Sequence, residues 1–262
     1  MRIATWNVNS VRARLPNIIA WLDEAKPDVL LMQEIKCETD AFPAMEFKAA
    51  GYETYAFGQK AYNGVALASL HKIEAAQEGL PNFKEDTQAR YLEATINGLR
   101  VASIYAPNGN PVDTDKFTYK LDWMTRFKRH AASLLCEEKL VVLGGDFNVI
   151  FTELDVYDPK GWEKDALYHP QIRAAFRDII SLGYTEIFRA LHPHQRAYSF
   201  WDYQGGAWQQ DKGLRIDHFL LSPEAADRTK GCVIDRVARG KDKASDHTPV
   251  IVDIANVPDL DH

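Results

Sequence analysis

Short apolar runs of strand length recur along the chain, and the connections between them are of two kinds. The runs Tyr91–Ile96 and Leu99–Tyr105 are joined by Asn97-Gly98, a strong hairpin signal that predicts antiparallel neighbours. Residues 114–136 then place apolar side chains at helical spacing, and Leu140–Leu143 follows as another buried strand. Hairpins and helical crossovers in one chain predict mixed β-sheets covered by helices, an α/β sandwich rather than a purely parallel sheet.

The rest of the chain supplies the other predicted elements. Helices are expected after Ser10 as N-cap, near residues 41–50, and from about Pro170. Strands are expected at residues 2–9, 28–34, 52–57, 64–69, 214–221, 233–236 and 249–254. No linker, low-complexity tract or repeat divides the sequence, so we expect one domain, residues 1–262, with 255–262 a loose tail.

Composition and charge exclude several classes of protein. A chain of 262 residues with 46% hydrophobic and 26% charged side chains is neither disordered nor a small disulfide scaffold. Its net charge of −6 argues against a purely electrostatic nucleic-acid binder. Any nucleic-acid site must therefore use local positive charge or a bound cation.

Cysteine usage and hydropathy bear on location. The three cysteines are far apart and offer neither zinc spacing nor a disulfide framework, so we expect the reducing cytoplasm. We also expect no signal peptide after Met1, and no run approaches the roughly 20 apolar residues of a membrane span.

Several predicted strands end in, or border on, a polar residue that a strand does not need. Strand ends at one edge of a sandwiched sheet meet in a common cleft, where ligands bind. The polar residues at or near strand ends are Asn7, Glu34, Tyr105, Asp146, Asn148, Asp217, Asp246 and His247.

Asp146 and Asn148 are two residues apart, so an extended chain points both to one face and points Phe147 into the core. The carboxylate can orient or deprotonate a water, and the amide can donate to a phosphoryl oxygen. Gly144 and Gly145 leave room for a substrate beside the backbone. The alternative is a simple turn, since Gly, Asp and Asn all favour turns.

Glu34 ends an apolar run, where an unpaired charge would be costly. A hard cation such as Mg²⁺ would satisfy it, and so would a salt bridge to Lys36. His247 needs an acceptor for its second ring nitrogen, and Asp217 is a candidate. A His–Asp pair of this kind also fits a purely structural role.

Taken together, these residues form an ordered set that is far more specific than any one motif. The set is Asn7, Gln33-Glu34-x-Lys36, Tyr105-x-Pro107-Asn108, Gly145-Asp146-Phe147-Asn148, Leu214-Arg-Ile-Asp217 and Ser245-Asp246-His247. It resembles the endonuclease/exonuclease/phosphatase superfamily and, within it, the exonuclease III-type apurinic/apyrimidinic (AP) endonucleases of DNA repair. The resemblance covers roughly residues 1 to 254.

The resemblance implies a fold, a reaction and its partners. The fold is a four-layer αββα sandwich of two packed mixed β-sheets flanked by helices. The reaction is hydrolysis of the phosphodiester 5′ to an abasic site in duplex DNA, with degradation or cleaning of 3′ ends. The implied cofactor is Mg²⁺, with Mn²⁺ as a substitute. The partner is double-stranded DNA, especially abasic or 3′-blocked, bound by a monomer.

The resemblance also assigns roles by position. It implies that Glu34 is the main metal ligand, that Asp146 activates the attacking water, and that Asp217 orients a phosphate-facing His247. The implied catalytic set is Tyr105, Asp146, Asn148, Asp217 and His247. The implied metal set is Asn7, Glu34, Asp146, Asn148, Asp246 and His247. The implied DNA contacts are Lys36, Asn108, Phe200, Trp201 and Leu214.

Damage recognition requires a tight apolar pocket for a sugar without a base. The segment Tyr198–Tyr203 resembles the one that lines this pocket in the family. We expect Phe200 and Leu214 to form its wall and floor, with Trp201 packed beneath them. The alternative for Trp201 is an ordinary core residue.

Two other functions compete with DNA repair. One is another chemistry of the superfamily, such as that of a sphingomyelinase or an inositol-phosphate phosphatase. The other is a non-catalytic nucleic-acid binder on the same scaffold, although that would predict the loss of some site residues. A calcineurin-like phosphoesterase would need an Asp-x-His near the N-terminus, which this sequence lacks.

Overall fold

The structure is a computed structural model that describes residues 1–83, 85–136 and 139–255. Its strands are β1 Arg2–Asn7, β2 Val29–Gln33, β3 Glu53–Phe57, β4 Val65–Ser69, β5 Ile73–Glu78, β6 Tyr91–Ile96, β7 Leu99–Tyr105, β8 Val141–Asp146, β9 Thr185–Glu186, β10 Asp217–Leu221, β11 Thr229–Ile234 and β12 Val250–Ile254. Its α-helices are α1 Leu15–Ala25, α2 Ala44–Ala49, α3 Asp115–Leu135, α4 Pro170–Ile180, α5 Ile187–Leu191 and α6 Pro223–Ala226.

The described strands form two six-stranded mixed sheets. The first has the order β11-β12-β1-β2-β4-β3, and the second has the order β5-β6-β7-β8-β10-β9. One central pair in each sheet is parallel, β1 with β2 and β7 with β8, and the other pairs are antiparallel. The prediction of mixed sheets is confirmed.

The two sheets pack face to face through a buried apolar layer that includes Leu31 and Val101. Residues that alternate with this layer face outward, where α1 and α2 cover the first sheet and α3 and α4 cover the second. The four-layer αββα sandwich is therefore confirmed. No helix of the described ranges combines the length and hydrophobicity that a bilayer crossing requires.

Several element boundaries differ from the predicted ones. Ser10 does not cap α1, because its φ is +84° and the helix begins only at Leu15, with Pro16 in its first turn. The helix expected near residues 41–50 is a 3₁₀ turn at Thr39–Ala41 followed by α2. Strands β5 and β9 were not predicted. The expected loose tail at 255–262 lies, from residue 256 onward, outside the described residues.

Gly144 and Gly145 serve packing rather than substrate access. A Cβ atom on Gly144 would lie 2.4 Å from the Phe219 ring, and one on Gly145 would lie 2.0 Å from the carbonyl oxygen of Ile104. The glycines therefore let β8 approach its neighbours closely, and the predicted substrate role was wrong. Phe147 is buried as expected.

Candidate active site

The site lies where strands of both sheets end at one edge of the sandwich. Asn7 and Asp146 are the last residues of β1 and β8, Tyr105 is the last residue of β7, and Glu34 directly follows β2. Asp217 starts β10 and is the register partner of Asp146. The parallel pairs bring these ends together, as the strand-end argument predicted.

Asn7 joins two carboxylates at the centre of the site. Its Nδ2 donates to Glu34 Oε1 at 2.9 Å and to Asp146 Oδ2 at 2.9 Å, while its Oδ1 accepts from the backbone N–H of Asn9 at 3.0 Å. The amide nitrogen, not the oxygen, therefore faces the carboxylates. In this arrangement the side chain holds the two carboxylates in place, and its role as a metal ligand stays a prediction.

Glu34 forms the predicted salt bridge and also lies beside the groups that could hold a cation with it. Its Oε2 accepts from Lys36 Nζ at 2.8 Å, so the salt bridge exists, yet the carboxylate also faces Asp146 and His247. Burial acts to raise the pKa of Glu34, but the hydrogen bonds from Asn7 and Lys36 outweigh it and leave the pKa below its usual value. Glu34 is therefore a stable anion at the mouth of the cleft.

Three groups converge closely enough to hold a metal ion. One ligand atom each from Glu34, Asp146 and His247 lies within 4.8 Å of the others. Asp146 is almost completely buried, and burial raises its pKa. His247 opposes that rise, whereas the Asp217 carboxylate adds to it. A cation between Glu34 and Asp146 would relieve this cost of a buried negative charge.

His247 is held between two carboxylates. Its Nδ1 is 2.9 Å from Asp217 Oδ2, and its Nε2 is 3.7 Å from Asp146 Oδ2. Ser199 Oγ donates to the same Asp217 oxygen at 2.6 Å and so fixes that carboxylate. Burial acts to lower the pKa of His247, but the two carboxylates raise it well above its usual value. The two carboxylates therefore favour the protonated ring, which suits it to contact a phosphate.

Tyr105 presents its hydroxyl to the carboxylates. Burial, together with the nearby charges of Glu34 and Asp146, raises its pKa well above the usual value, so the phenol remains a proton donor. The Arg90 guanidinium lies 4.9 Å from the centre of the Tyr105 ring and donates to its carbonyl oxygen at 3.3 Å. Arg90 thus adds positive charge beside the phenol.

Asn148 forms a turn and also contributes its side chain to the site. Its φ is +50°, and its backbone N–H donates to Asp146 Oδ1 at 2.9 Å, which is an Asx turn. Its Nδ2 donates to the carbonyl oxygen of Ala106 at 2.9 Å, and its Oδ1 is 3.5 Å from Nδ2 of the exposed Asn108. The two interpretations of this segment are therefore compatible, because the residue that forms the turn also carries an amide beside Asp146.

Asp246 lies next to the three convergent groups rather than among them. Its Oδ1 accepts from Asn9 Nδ2 at 3.0 Å and from Ser245 Oγ at 3.3 Å. Asn9 Oδ1 also accepts from Lys36 Nζ at 2.6 Å, so Asn9 links the Glu34–Lys36 pair to Asp246. The sequence reasoning missed Asn9, although its position two residues after Asn7 places both on one face of an extended chain.

The three residues predicted to form the sugar pocket differ in exposure. The half-buried Phe200 ring lies 4.9 Å from the His247 ring, and Phe200 is bridged to Leu214 through the backbone. Leu214 is 1% exposed and Trp201 is 0% exposed. Trp201 packs instead against Trp208 and donates to Asp211 Oδ1 at 3.0 Å. The assignment of Trp201 as a direct DNA contact was therefore wrong. Trp201 also does not pack beneath Phe200 and Leu214 as predicted, because it belongs to a separate apolar cluster with Tyr198 and Trp208.

Comparisons with known proteins agree with this geometry. The model of the Endonuclease/Exonuclease/phosphatase family matches residues 4–247. The DNA repair nuclease APEX1 of Danio rerio is 31% identical over 97% of this chain and 82% of its own length. The structure of an AP endonuclease from Archaeoglobus fulgidus is similar with a TM-score of 0.94 and 37% identity, over 97% of this chain and 99% of that one. The 3′-5′ exonuclease NExo from Neisseria meningitidis is similar with a TM-score of 0.95, 37% identity and the same coverage. The chain therefore belongs to the endonuclease/exonuclease/phosphatase family, in its branch of exonuclease III-type AP endonucleases.

Proposed function

We propose that this protein is a Mg²⁺-dependent DNA-repair nuclease that hydrolyses the phosphodiester 5′ to abasic sites in duplex DNA. We propose further that it removes nucleotides or blocking phosphates from 3′ ends. The observation that carries the proposal is the convergence of Glu34, Asp146 and His247 within 4.8 Å at the edge of both sheets. Two carboxylates and an imidazolium supply, at one point, a cation site, a base for water and a positive charge for a phosphate.

Glu34 and Asp146 are the residues that would hold the metal ion. Both present carboxylate oxygens, which are the ligands that Mg²⁺ prefers. The Asn7 amide donates a hydrogen bond to each carboxylate and so holds the two close together. When bound, the ion supplies Lewis-acid polarisation of the phosphoryl oxygen. His247 is left out of the ligand set, because a protonated imidazole has no free lone pair for a metal.

Asp146 is the residue placed to handle the attacking water. Its carboxylate lies 2.9 Å from Asn7 Nδ2 and 3.7 Å from His247 Nε2, where it can accept a hydrogen bond from the attacking water and then its proton. The water's oxygen forms the new bond to phosphorus, and its proton passes to Asp146. The bond from phosphorus to the 3′ oxygen of the neighbouring nucleotide breaks, and that oxygen must then acquire a proton.

Three donors face the place of the phosphate. The imidazolium of His247, the amide of Asn148 and the phenol of Tyr105 each offer hydrogen to an oxygen on which negative charge develops. Asp217 and Ser199 hold the imidazole in one orientation. Tyr105 is the donor we assign to the leaving oxygen.

Selectivity for abasic DNA would come from the apolar wall beside His247. The ring of Phe200 stands at this wall, and Leu214 lies behind it. A sugar without a base can enter a slot too narrow for an intact nucleotide, and it costs little to extrude from the helix. Lys36 and the exposed Asn108 are the polar DNA contacts we propose at the rim.

The protein is proposed to act as a monomer on duplex DNA, because one chain supplies every residue named in this site. A cytoplasmic location remains a prediction. It is compatible with Cys37, Cys136 and Cys232, which are all free thiols.

A substrate panel in Mg²⁺ tests the proposal. It contains an abasic duplex, an intact duplex with a recessed 3′ end, and a duplex with a 3′-phosphate, beside sphingomyelin and an inositol polyphosphate. We expect cleavage of the abasic duplex and processing of the 3′ ends, with all activity lost in EDTA. Cleavage of only the lipid or the inositol compound would replace DNA repair with another chemistry of the family. Binding of DNA without any cleavage would make the protein a non-catalytic binder.

A further inference from the structure

A lysine that the mechanism above does not use is buried beside the site. Lys120 belongs to α3 and is 0% exposed, although lysine is almost never fully buried without a partner. Its ammonium group has main-chain carbonyls as partners. Nζ donates to the carbonyl oxygen of Asn108 at 2.9 Å and to that of Asn148 at 2.6 Å. One side chain thus joins the two loops that carry the Asn108 and Asn148 amides.

The packing around the lysine stem fixes where these bonds are made. Gly109 has a φ of +86°, and a Cβ atom there would lie 2.6 Å from Lys120 Cδ. The loop after β7 therefore rests directly on the stem. Burial lowers the pKa of Lys120 to about 7, while Asp146 and Asp165 favour its charged form. Burying the ammonium group beneath both loops therefore costs desolvation free energy, and an apolar side chain at this position would not have that cost.

The direction of the Asn148 side-chain amide depends on the conformation of its own backbone. Its φ of +50° is a conformation that is strained for most residues, and the carbonyl bonded to Lys120 belongs to the same residue. A shift of that carbonyl turns the amide that donates toward the phosphate. A misplacement of about 1 Å at a reacting group can cost about 100-fold in rate.

We propose that Lys120 is a positioning residue for phosphodiester cleavage, which sets the direction of the Asn148 amide by holding its main-chain carbonyl together with that of Asn108. This inference rests on the proposed nuclease function. Lys120 is covered by the two loops, so it acts through Asn148 and does not touch DNA.

A double-mutant cycle on abasic-duplex cleavage in Mg²⁺ tests the proposal. Lys120→Met removes the donors and keeps the stem, and Lys116→Met, on an exposed turn of the same helix, is the matched control. We expect Lys120→Met to lower kcat by about 10- to 100-fold with KM changed less than about 3-fold. In an Asn148→Ala background, the same substitution should lower kcat by less than about 3-fold, because the group it positions is gone. Lys116→Met should match wild type.

Three outcomes overturn the proposal. The first is a wild-type kcat in Lys120→Met, and the second is an equal loss of kcat with and without Asn148. Urea midpoints are measured for each variant, and Lys120→Gln, which keeps a donor and loses the charge, is the second variant. If neither variant folds, Lys120 serves the fold alone, and this third outcome also overturns the proposal. Failure of the proposed function is distinct, since the wild-type protein itself would then leave the abasic duplex intact.

Discussion

Replacement of Arg215 by methionine removes a guanidinium that contacts three buried groups, Asp155, Glu186 and His218. Arg215 is 1% exposed. Its Nε donates to Asp155 Oδ1 at 2.7 Å, and one terminal nitrogen donates to Glu186 Oε1 at 2.7 Å and lies 3.2 Å from His218 Nδ1. Asp155 keeps a second cation, Arg189, but Glu186 would lose its guanidinium and keep only the His218 ring and the backbone N–H of Arg189 as described partners. The substitution therefore leaves a buried carboxylate poorly compensated.

The expected loss follows from that uncompensated charge. Removal of one partner of a buried ion pair typically costs about 3–5 kcal/mol. With an m-value of about 3 kcal/mol per M, which suits a chain of this size, the urea midpoint should fall by about 1–2 M. Lys128→Met is the control, because the Lys128–Asp178 pair is 38% and 61% exposed and should contribute at most about 1 kcal/mol.

The same cluster predicts how stability depends on acid. Burial acts to raise the pKa of Glu186, but Arg215 and His218 bring it down to about 2. Burial likewise opposes the fall in the pKa of Asp155, which its cations hold well below the usual range. Because the folded pKa values lie below those of the unfolded chain, about 4, this stability is complete above about pH 5 and is lost as the pH falls toward 2.

Urea unfolding at pH 7 and at several pH values down to 3 measures both effects. Wild-type protein should lose stability steeply below about pH 5, and Arg215→Met should already be destabilised at pH 7, with a shallower loss below pH 5. The reasoning is refuted if Arg215→Met loses no more free energy of unfolding than Lys128→Met.

The remaining predictions concern chemistry and recognition. Asp146→Asn and His247→Ala should each lower kcat by about 10²- to 10⁴-fold while DNA binding survives, and the double variant should lose far less than the product of the two. Near wild-type turnover in either single variant would remove that residue from its role. Phe200→Ala should narrow the ratio of abasic to undamaged incision, whereas Trp201→Ala should keep the ratio and lose about 3–5 kcal/mol of stability, because its ring is fully buried. Incision ratios and urea midpoints decide this pair, and an unchanged ratio in Phe200→Ala would move the pocket elsewhere.

The fold was predictable where local signals sufficed. Strands β6 and β7 have their expected bounds because Asn97 and Gly98 adopt φ values of +48° and +78°, which the turn between them requires. Strand β5 was not predictable, since Ile73–Glu78 contains mainly Ala, Gln and Glu and shows no apolar alternation. It is a strand because it pairs with β6 at the edge of the second sheet, and such tertiary pairing overrides local preference.

The sequence identified most residues of the site, but it did not show which atoms they present to one another. A carboxylate at the end of an apolar strand demands an explanation, which is how Glu34 and Asp146 were found. Amide orientation has no such signal, so the sequence could not show that Asn7 turns its nitrogen toward the carboxylates. Lys120 was missed because in the sequence it is one polar residue of an amphipathic helix. Its burial arises only when two distant loops close over it.

The Mg²⁺ dependence of abasic-duplex incision, compared between wild type and Glu34→Gln, tests the metal-dependent site most directly. EDTA should abolish incision by the wild-type protein, and added Mg²⁺ should restore it. Glu34→Gln should fold normally and need at least about 10-fold more Mg²⁺ for half-maximal rate. The exposed Glu24→Gln serves as control and should match wild type. Full activity of Glu34→Gln at low Mg²⁺, or undiminished incision in EDTA, would contradict the account.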